Sequence, residues 1–411
     1  GEGSEFSVDI REGNTEKLVE AGSKGLSLKI ILDKKVATTS SSDLSEETLH
    51  HLVDNAIERA KISNPDPFAG LPVKEEIITD VKKLQIFDPK IIELPPEKKI
   101  AAAKETEAIC LSDKRIQKSY GANFGTYVGT TYLVNSNGFS GSYSQTSCSC
   151  GVYLQAGEGD NLFDEGKYDY SRNLDSLMEP EKIAKEAIHR VTRLIGARKV
   201  ETQNVPVVLE PEMTASLLGF LSSCVNGNSV YLKQTFLADK LGEKIGTDLV
   251  TVIDDGLMPG VPGAKPFDRE GVPVRKTPVI EKGLLKNFMM DTYAARKLKM
   301  KSTGNASGPN NLYFAAGKHT QEEIIRSVDK GLLLTGTIGF GLVPTTGDIS
   351  RGAFGMWIEN GKITYPVAEI TIAGNLGEIL HQIEMVGSDL EFKRAINAPT
   401  IKVREMTIGG K

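Results

Sequence analysis

Histidine, cysteine and tryptophan are scarce in the 411-residue chain, at five, four and one. The common two-histidine zinc helix, His-Glu-x-x-His, places its ligands four residues apart, and no two of His50, His51, His189, His319 and His381 have that spacing. Cys110, Cys148, Cys150 and Cys224 are too sparse for a secreted disulfide scaffold and read as reduced thiols. No window approaches the ~20 consecutive apolar residues of a membrane helix, and no basic, apolar and small-residue signal opens the chain, so a cytoplasmic protein without membrane contact is expected. Neither charge sign is in excess: 49 basic against 54 acidic residues leave a net charge of −5. That balance offers phosphate backbones no attraction, which argues against nucleic acid as a direct partner. Repeats and low-complexity tracts are absent too. What remains is 39% hydrophobic and 25% charged, an ordinary globular composition. At roughly 100 to 200 residues per domain, two or three domains are expected.

Residues 5–41 hold short strand-like runs such as Phe6–Ile10 and Leu26–Leu32, punctuated by Gly13, Gly22 and Gly25. Gly1 stands first where Met would open a gene product, and the strand pattern has already begun, so the chain is expected to continue upstream. Asp43 and Glu46 have capping-box spacing, and Leu49, Leu52, Val53, Ala56, Ile57 and Ala60 recur at helical spacing behind them. Three prolines and a glycine mark Asn64–Pro72 as a linker. Beyond it Pro95-Pro96 announces a helix to Ile109, and Gly125–Asn135 and Phe139–Leu154 read as strands joined through a two-residue Asn137-Gly138 turn. A helix from Pro180 with an apolar face of Ile183, Ala187, Ile188, Val191, Leu194 and Ile195 ends at Gly196. From Val205 strands dominate: Asp248–Asp254, Pro273–Glu281, Leu284–Met290, Leu332–Leu342, Ala353–Glu359 and Lys362–Pro366. Turns at Glu281-Lys282-Gly283 and Asn360-Gly361 and a capping box at Thr320–Glu323 punctuate them. The expected class is α+β: N-terminal α/β units with antiparallel sheets flanked by helices, followed by a large β-rich C-terminal domain. The expected units are 1–63, 73–200 and 204–411, the first two able to pack as one.

Chemistry is faint in these patterns. His381 and Glu384 are one helical turn apart and could chelate a metal, but an exposed polar pair is the plainer reading. Cys148 and Cys150 alternate on a strand, which puts both thiols on one face without further soft ligands nearby. The run Thr335–Gly341 carries three glycines but lacks the Lys-Ser/Thr ending of a phosphate cradle, and a glycine-bent strand fits it better. Gly347–Gly352 sets an acid, a hydroxyl and a base between glycines, which suits a binding loop and equally a local Asp-to-Arg turn contact.

Taken together, the phrases of the C-terminal half resemble the TldD/PmbA family (peptidase U62, labelled modulator of DNA gyrase). They are DDGLMPG (Asp254–Gly260), PFDREGVP (Pro266–Pro273), YAARKL (Tyr293–Leu298), STGNA (Ser302–Ala306), GDISRG (Gly347–Gly352), IENG (Ile358–Gly361) and PVAEITIAGNL (Pro366–Leu376). In the family's catalytic branch the resemblance implies a His-Glu-x-x-x-His motif on the helix after a strand like Val205–Leu209, with a later cysteine as third zinc ligand. Two imidazoles and a thiolate would hold zinc, whose open position lowers the pKa of a bound water, and the glutamate would take its proton. Here those positions read Gly219, Phe220, Leu221, Ser222, Ser223 and Cys224, and no cysteine follows.

The absence, with the Ser350-Arg351 pair, is similar to the PmbA/TldE-type branch. That resemblance implies a zinc-free, non-catalytic subunit, with no cofactor in this chain and zinc expected only in a TldD-like partner. Together they would bind and process unfolded peptides. Peptide-binding candidates are Asn305, Asp348, Arg351 and Asn375; catalytic and metal residues are none, with Gly219, Phe220 and Cys224 as degenerate motif positions. Isolated chains could form homodimers. Two alternatives stand beside this: a regulatory protein of the gyrase-modulator type, and a homodimeric peptidase with a different site, for which Ser222, Ser223 and Cys224 lack a sequence-local base.

Overall fold

The computed structural model describes residues 1–75, 80–159 and 161–410. Strands β1 (Glu2–Arg11), β2 (Asn14–Lys24), β3 (Leu26–Leu32) and β4 (Lys35–Ser41) lead to helix α1 (Glu46–Ile62). The hairpin turns put Glu12 and Gly13, then Asp33 and Lys34, at positive φ, the backbone that primed two-residue turns demand. α1 begins two residues later than the Asp43–Glu46 spacing implies. Ser45 is the N-cap, and the Asp43 carboxylate instead accepts the Ser45 N–H at 2.9 Å and the Thr48 hydroxyl at 2.7 Å, which leaves Glu46 outside the cap. The buried stripe of α1 is Leu52, Ala56 and Ala60, set against the β3–β4 hairpin. Val53 is exposed, so this face is narrower than the apolar spacing suggests.

Helices α2 (Pro89–Glu93) and α3 (Pro96–Leu111) precede β5 (Ile116–Val134), β6 (Ser140–Glu158) and β7 (Asn161–Ser171), and α4 (Pro180–Thr192) closes the region. The sheet runs β2-β1-β5-β6-β7 and is antiparallel throughout, so the first two strands of the chain extend the sheet of the later three. Period-two alternation buries Cys150, Val152, Leu154 and Ala156 in one cluster with Ala103 and Cys110 of α3 and Ile183 and Ala187 of α4. The β5–β6 hairpin is right, but its loop spans 135–139 rather than a two-residue turn. The Asn135 side chain accepts the N–H groups of Asn137 and Phe139, and that Asx closure widens the loop around Gly138 at φ +85°.

In the C-terminal half β8 (Gln203–Leu209) is followed by α5 (Pro211–Cys224) and α6 (Gly227–Tyr231). Then come β9 (Val252–Asp255), β10 (Lys276–Glu281), β11 (Leu284–Leu285), α7 (Thr292–Lys297), β12 (Leu312–Phe314) and α8 (Gln321–Arg326). The chain finishes with β13 (Lys330–Ile338), β14 (Leu342–Val343), β15 (Asp348–Glu359), β16 (Lys362–Asn375), α9 (Leu376–His381), β17 (Ile383–Val386), β18 (Ile396–Asn397) and β19 (Ile401–Gly409). β13, β8, β19, β16 and β15 close on themselves through a β13–β15 pairing, while β14 and β17 attach outside the ring. Along β8, Val205, Val207 and Leu209 join the main core, whereas Val208 faces outward to Ile324 and Ile325 of α8. A smaller sheet runs β11-β10-β9-β12-β18. The long strand expected at Leu284–Met290 shrinks to two residues. Pro278 has no N–H to extend the ladder, the register shifts beside it, and the Asn287 side chain donates to its carbonyl at 2.8 Å. The class is thus α+β with a β-rich C-terminal half built round a closed barrel. Among the described residues no helix is long and apolar enough to cross a membrane.

Candidate functional site

Helix α5 springs from the end of barrel strand β8, with Pro211 in its first turn and Val225 as C-cap. Its N-cap, Glu210, makes no side-chain cap; its carboxylate instead takes the fork of Arg193, the C-cap of α4, at 2.7 and 3.0 Å. Two residues on, Glu212 takes the Arg190 fork at 3.0 and 3.0 Å, and Arg190 also holds Glu186. Burial pushes the Glu212 carboxyl up, but the Arg190 hydrogen bonds and charge outweigh it and hold the group below the usual carboxylate range. Two bidentate pairs therefore clamp the start of α5 to the last helix of the preceding region.

The degenerate motif lies on the far half of α5. Phe220 and Cys224 are buried, and a Cβ on Gly219 would meet only Ile396, at 3.8 Å. Burial pushes the Cys224 thiol up to about 11, against a hydrogen bond with Thr235. These positions do not fit a zinc ion: one inaccessible protonated thiol is the single donor they offer. Among the described residues no three His, Cys, Asp or Glu side chains stand together as a metal site. His381 ends α9, while Glu384 is paired with Arg404 at 2.7 Å and Lys402 at 3.3 Å. Ser223 donates to the Gly219 carbonyl at 3.4 Å, an ordinary helix back-bond, and Ser222 is buried.

Toward its N-terminus α5 leaves an opening at the barrel rim. Met213, Ser216 and Leu217 of the helix face Leu342, Ile349 and Arg351 of the barrel across a slot of about 40 Å³, floored by Leu209, Leu334, Ile372 and Met406. Arg351 donates from Nε to the Gly339 carbonyl at 3.1 Å and from Nη1 to the Ser216 hydroxyl at 3.4 Å. Beside it Asp348 and Asn375 are register partners, joined at 2.9 Å, and the Thr346 hydroxyl reaches Asp348 at 2.6 Å. Those hydrogen bonds, Thr346 first, hold the Asp348 carboxyl below its usual range. Asn375 also caps α9 by accepting the Gly377 N–H at 3.0 Å.

Asp348, Arg351 and Asn375 thus share one end of β15 and β16. Asn305 does not join them. It is 4% exposed, donates to Asp254 at 2.7 Å and to the Gly308 carbonyl at 3.1 Å, and accepts from Thr303 at 2.7 Å. Asp254 also takes the Asn310 amide and N–H, both at 2.8 Å, and Asp268 takes the Ala306 N–H at 3.0 Å. DDGLMPG, PFDREGVP and STGNA therefore meet in a buried polar knot, where an Asn at position 305 holds the fold instead of facing a cleft.

Spacing did not single out Met213, Ser216 and Leu217, because on a helix apolar at most positions nothing separates a slot-lining residue from a core one. The glycine run held a readable signal. β13 bends at a bulge near Gly336, and beyond it Phe340 stands 101% exposed between Gly339 at φ +79° and Gly341 at φ +140°. An aromatic between two glycines on a turn is a displayed residue.

The three domains of one family match along the chain: PmbA/TldA metallopeptidase domain 1 over 1–60, its central domain over 89–195 and its C-terminal domain over 202–410. The chain is similar to Metalloprotease PmbA of Escherichia coli O157:H7, 35% identical over 409 residues that cover 99% of this chain and 90% of that one. The Metalloprotease PmbA homolog of Haemophilus influenzae is 32% identical over 412 residues, covering 99% and 90%. A Bacteroides thetaiotaomicron crystal structure named for a modulator of DNA gyrase superposes with a TM-score of 0.92 at 29% identity, covering 100% of this chain and 93% of that one. TldE of Thermococcus kodakarensis shares the fold at a TM-score of 0.87 and 22% identity, covering 100% and 95%.

Proposed function

The chain belongs to the TldD/PmbA family of metallopeptidases, and on that footing we propose that it is a zinc-free, non-catalytic subunit of a TldD/TldE-like cytosolic complex that binds unfolded peptides for a TldD-like partner to cut. The observation that carries the reading is α5, where Gly219, Phe220 and a buried Cys224 stand in place of ligands and base. Hydrolysis by zinc needs an open coordination position and a base beside it, so the metal belongs to the partner. The contribution of this chain is the barrel rim, where an apolar slot is edged by hydroxyls and a guanidinium. Such a surface suits an extended peptide, whose side chains need pockets and whose polar groups need partners. The cytosolic setting accords with four free, buried cysteines.

The test is reconstitution. The purified chain should carry far less than one zinc per molecule and should not cut an unstructured peptide, and adding a TldD-like protein should produce cleavage. Peptidase activity of the isolated chain, or no activity with the partner, would sink the proposal. A regulatory role at gyrase is the second reading, favoured by the names of the Bacteroides structure and of a Thermotoga maritima one. Capture of gyrase without any TldD-like protein would support it.

A further inference from the structure

We propose that the slot at the barrel rim binds the C-terminal end of an extended peptide, with the last side chain between Met213, Leu217, Leu342 and Ile349 and the α-carboxylate on Arg351. The inference rests on the peptide-binding reading above and names which part of the peptide this rim reads.

Charge is the first argument. Arg351 has a neutral hydroxyl and a backbone carbonyl as partners, and among the described residues no carboxylate forms an ion pair with it. The acids next in sequence to its lining are committed elsewhere: Glu210 to Arg193, Glu212 to Arg190, and Asp348 to Thr346 and Asn375. No acidic side chain lines the slot itself. A half-buried guanidinium facing an acid-free apolar slot is complementary to a carboxylate joined to an apolar group, and its planar fork matches the two carboxylate oxygens. The Ser216 hydroxyl, already at 3.4 Å from Nη1, adds a donor next to that fork.

Size and shape are the second argument. A slot of about 40 Å³ holds roughly three water-sized groups, the isopropyl end of Val or Leu. Leu209, Leu334, Ile372 and Met406 are each under 9% exposed and close the floor, so a side chain enters end-on and goes no further. The carboxylate of a terminal residue lies two bonds from the Cβ that enters, and so falls at the rim beside Arg351. Preceding residues would cross the exposed Ile338, Phe340 and Val343, an apolar strip left uncovered by the described residues that suits an extended peptide leaving the slot.

Fluorescence anisotropy on the full chain tests this with three labelled unstructured peptides: one ending in Leu as free acid, the same sequence as amide, and that amide with Glu substituted before the Leu. The free acid should bind at least about tenfold more tightly than either amide, the loss expected for removing a charge-assisted pair. Arg351→Gln should erase that preference, and Arg351→Lys should keep part of it. Equal binding of acid and plain amide, or binding of the Glu-containing amide as tight as the acid, overturns the terminal reading. So does a preference that survives Arg351→Gln, or no binding of any form. The peptide comparison on the unaltered chain needs no variant to fold. Equal binding of acid and amide with partner-dependent cleavage intact removes this inference alone; the reverse pattern removes the subunit proposal alone.

Discussion

Gly219 has room for a side chain it does not carry. A Cβ there would make one ordinary contact, at 3.8 Å with Ile396, and the residue sits inside a helix, where glycine costs about 0.5–1 kcal/mol relative to alanine. Gly219→Ala should therefore stabilise the chain by about that amount, read as a higher urea midpoint, and should leave partner-dependent cleavage unchanged; destabilisation would mean that the glycine serves a close approach in the complex. Five residues on, Cys224 is 0% exposed with its thiol pushed up to about 11. A thiol reagent at pH 8 should label it only after unfolding. Asp254 behaves differently again. Burial pushes its carboxyl up, while Asn305 and Asn310 oppose that with hydrogen bonds to its ionised form. Asp254→Asn turns an acceptor of three N–H groups into a group with two donors of its own, so at least one donor is left facing another. The cost should be about 2–4 kcal/mol in urea unfolding.

Elements join through charge at the α4–α5 clamp. Removing Arg190 leaves Glu186 and Glu212 without their shared partner in a half-buried setting, so Arg190→Met should cost about 2 kcal/mol at pH 7, discounted from a fully buried pair because Glu212 keeps partial exposure. The sign with pH follows from the depressed folded values of both carboxyls, Glu212 and Glu186. Their stabilisation is present above the unfolded value of about 4.3 and is lost as pH falls through the folded values. The gap in stability between the original chain and Arg190→Met should accordingly narrow below about pH 4; a gap that stays constant to pH 3 would assign the cost to packing of the arginine stem. Elements of this kind were legible where local chemistry decides them: Pro95-Pro96 before α3, the Thr320–Glu323 capping box and the Asn360-Gly361 turn with both residues at positive φ. They were illegible where a side chain reaches past its neighbours. Asp43 anchors the entry to α1 from outside the helix, Asn135 widens the β5–β6 loop, and Asn287 with Pro278 cuts short a strand that its apolar run would have continued. Asp348, Arg351 and Asn375 come together because their phrases lie on adjacent paired strands. Asn305 lies apart from them in a buried hydrogen-bond knot, a placement that the phrase around it does not reveal.

At the scale of the molecule, residues 64–72 have the composition of a free linker and the contacts of a strap. Arg296 of α7 donates to the carbonyls of Phe68 at 3.1 Å, Gly70 at 2.9 Å and Leu71, and the Tyr293 hydroxyl meets Asp66 at 2.6 Å. Lys297 lies 4.2 Å over the Phe68 ring with Tyr231 and Tyr293 on its other sides. Sequence could not show this, because prolines and a glycine report that a segment leaves regular structure and say nothing of whether another part of the chain supplies its hydrogen bonds. One guanidinium serves three carbonyls, so its loss should free the strap locally while the sheet shared by β1 and β5 keeps the first strands in place. Arg296→Ala should open the strap by about 2–3 kcal/mol, which raises cleavage by a broad-specificity protease within 64–72 by roughly thirtyfold or more when opening is fast relative to cutting. Tyr293→Phe removes one hydrogen bond to Asp66 and should give a smaller rise. The thermal midpoint of the barrel half should move little in either variant, since none of its core side chains is touched. Cleavage at the original rate in Arg296→Ala would mean that the aromatic contact of Phe68 with Lys297 holds the strap without the carbonyl clamp, and Phe68→Ala would then become the variant that releases it.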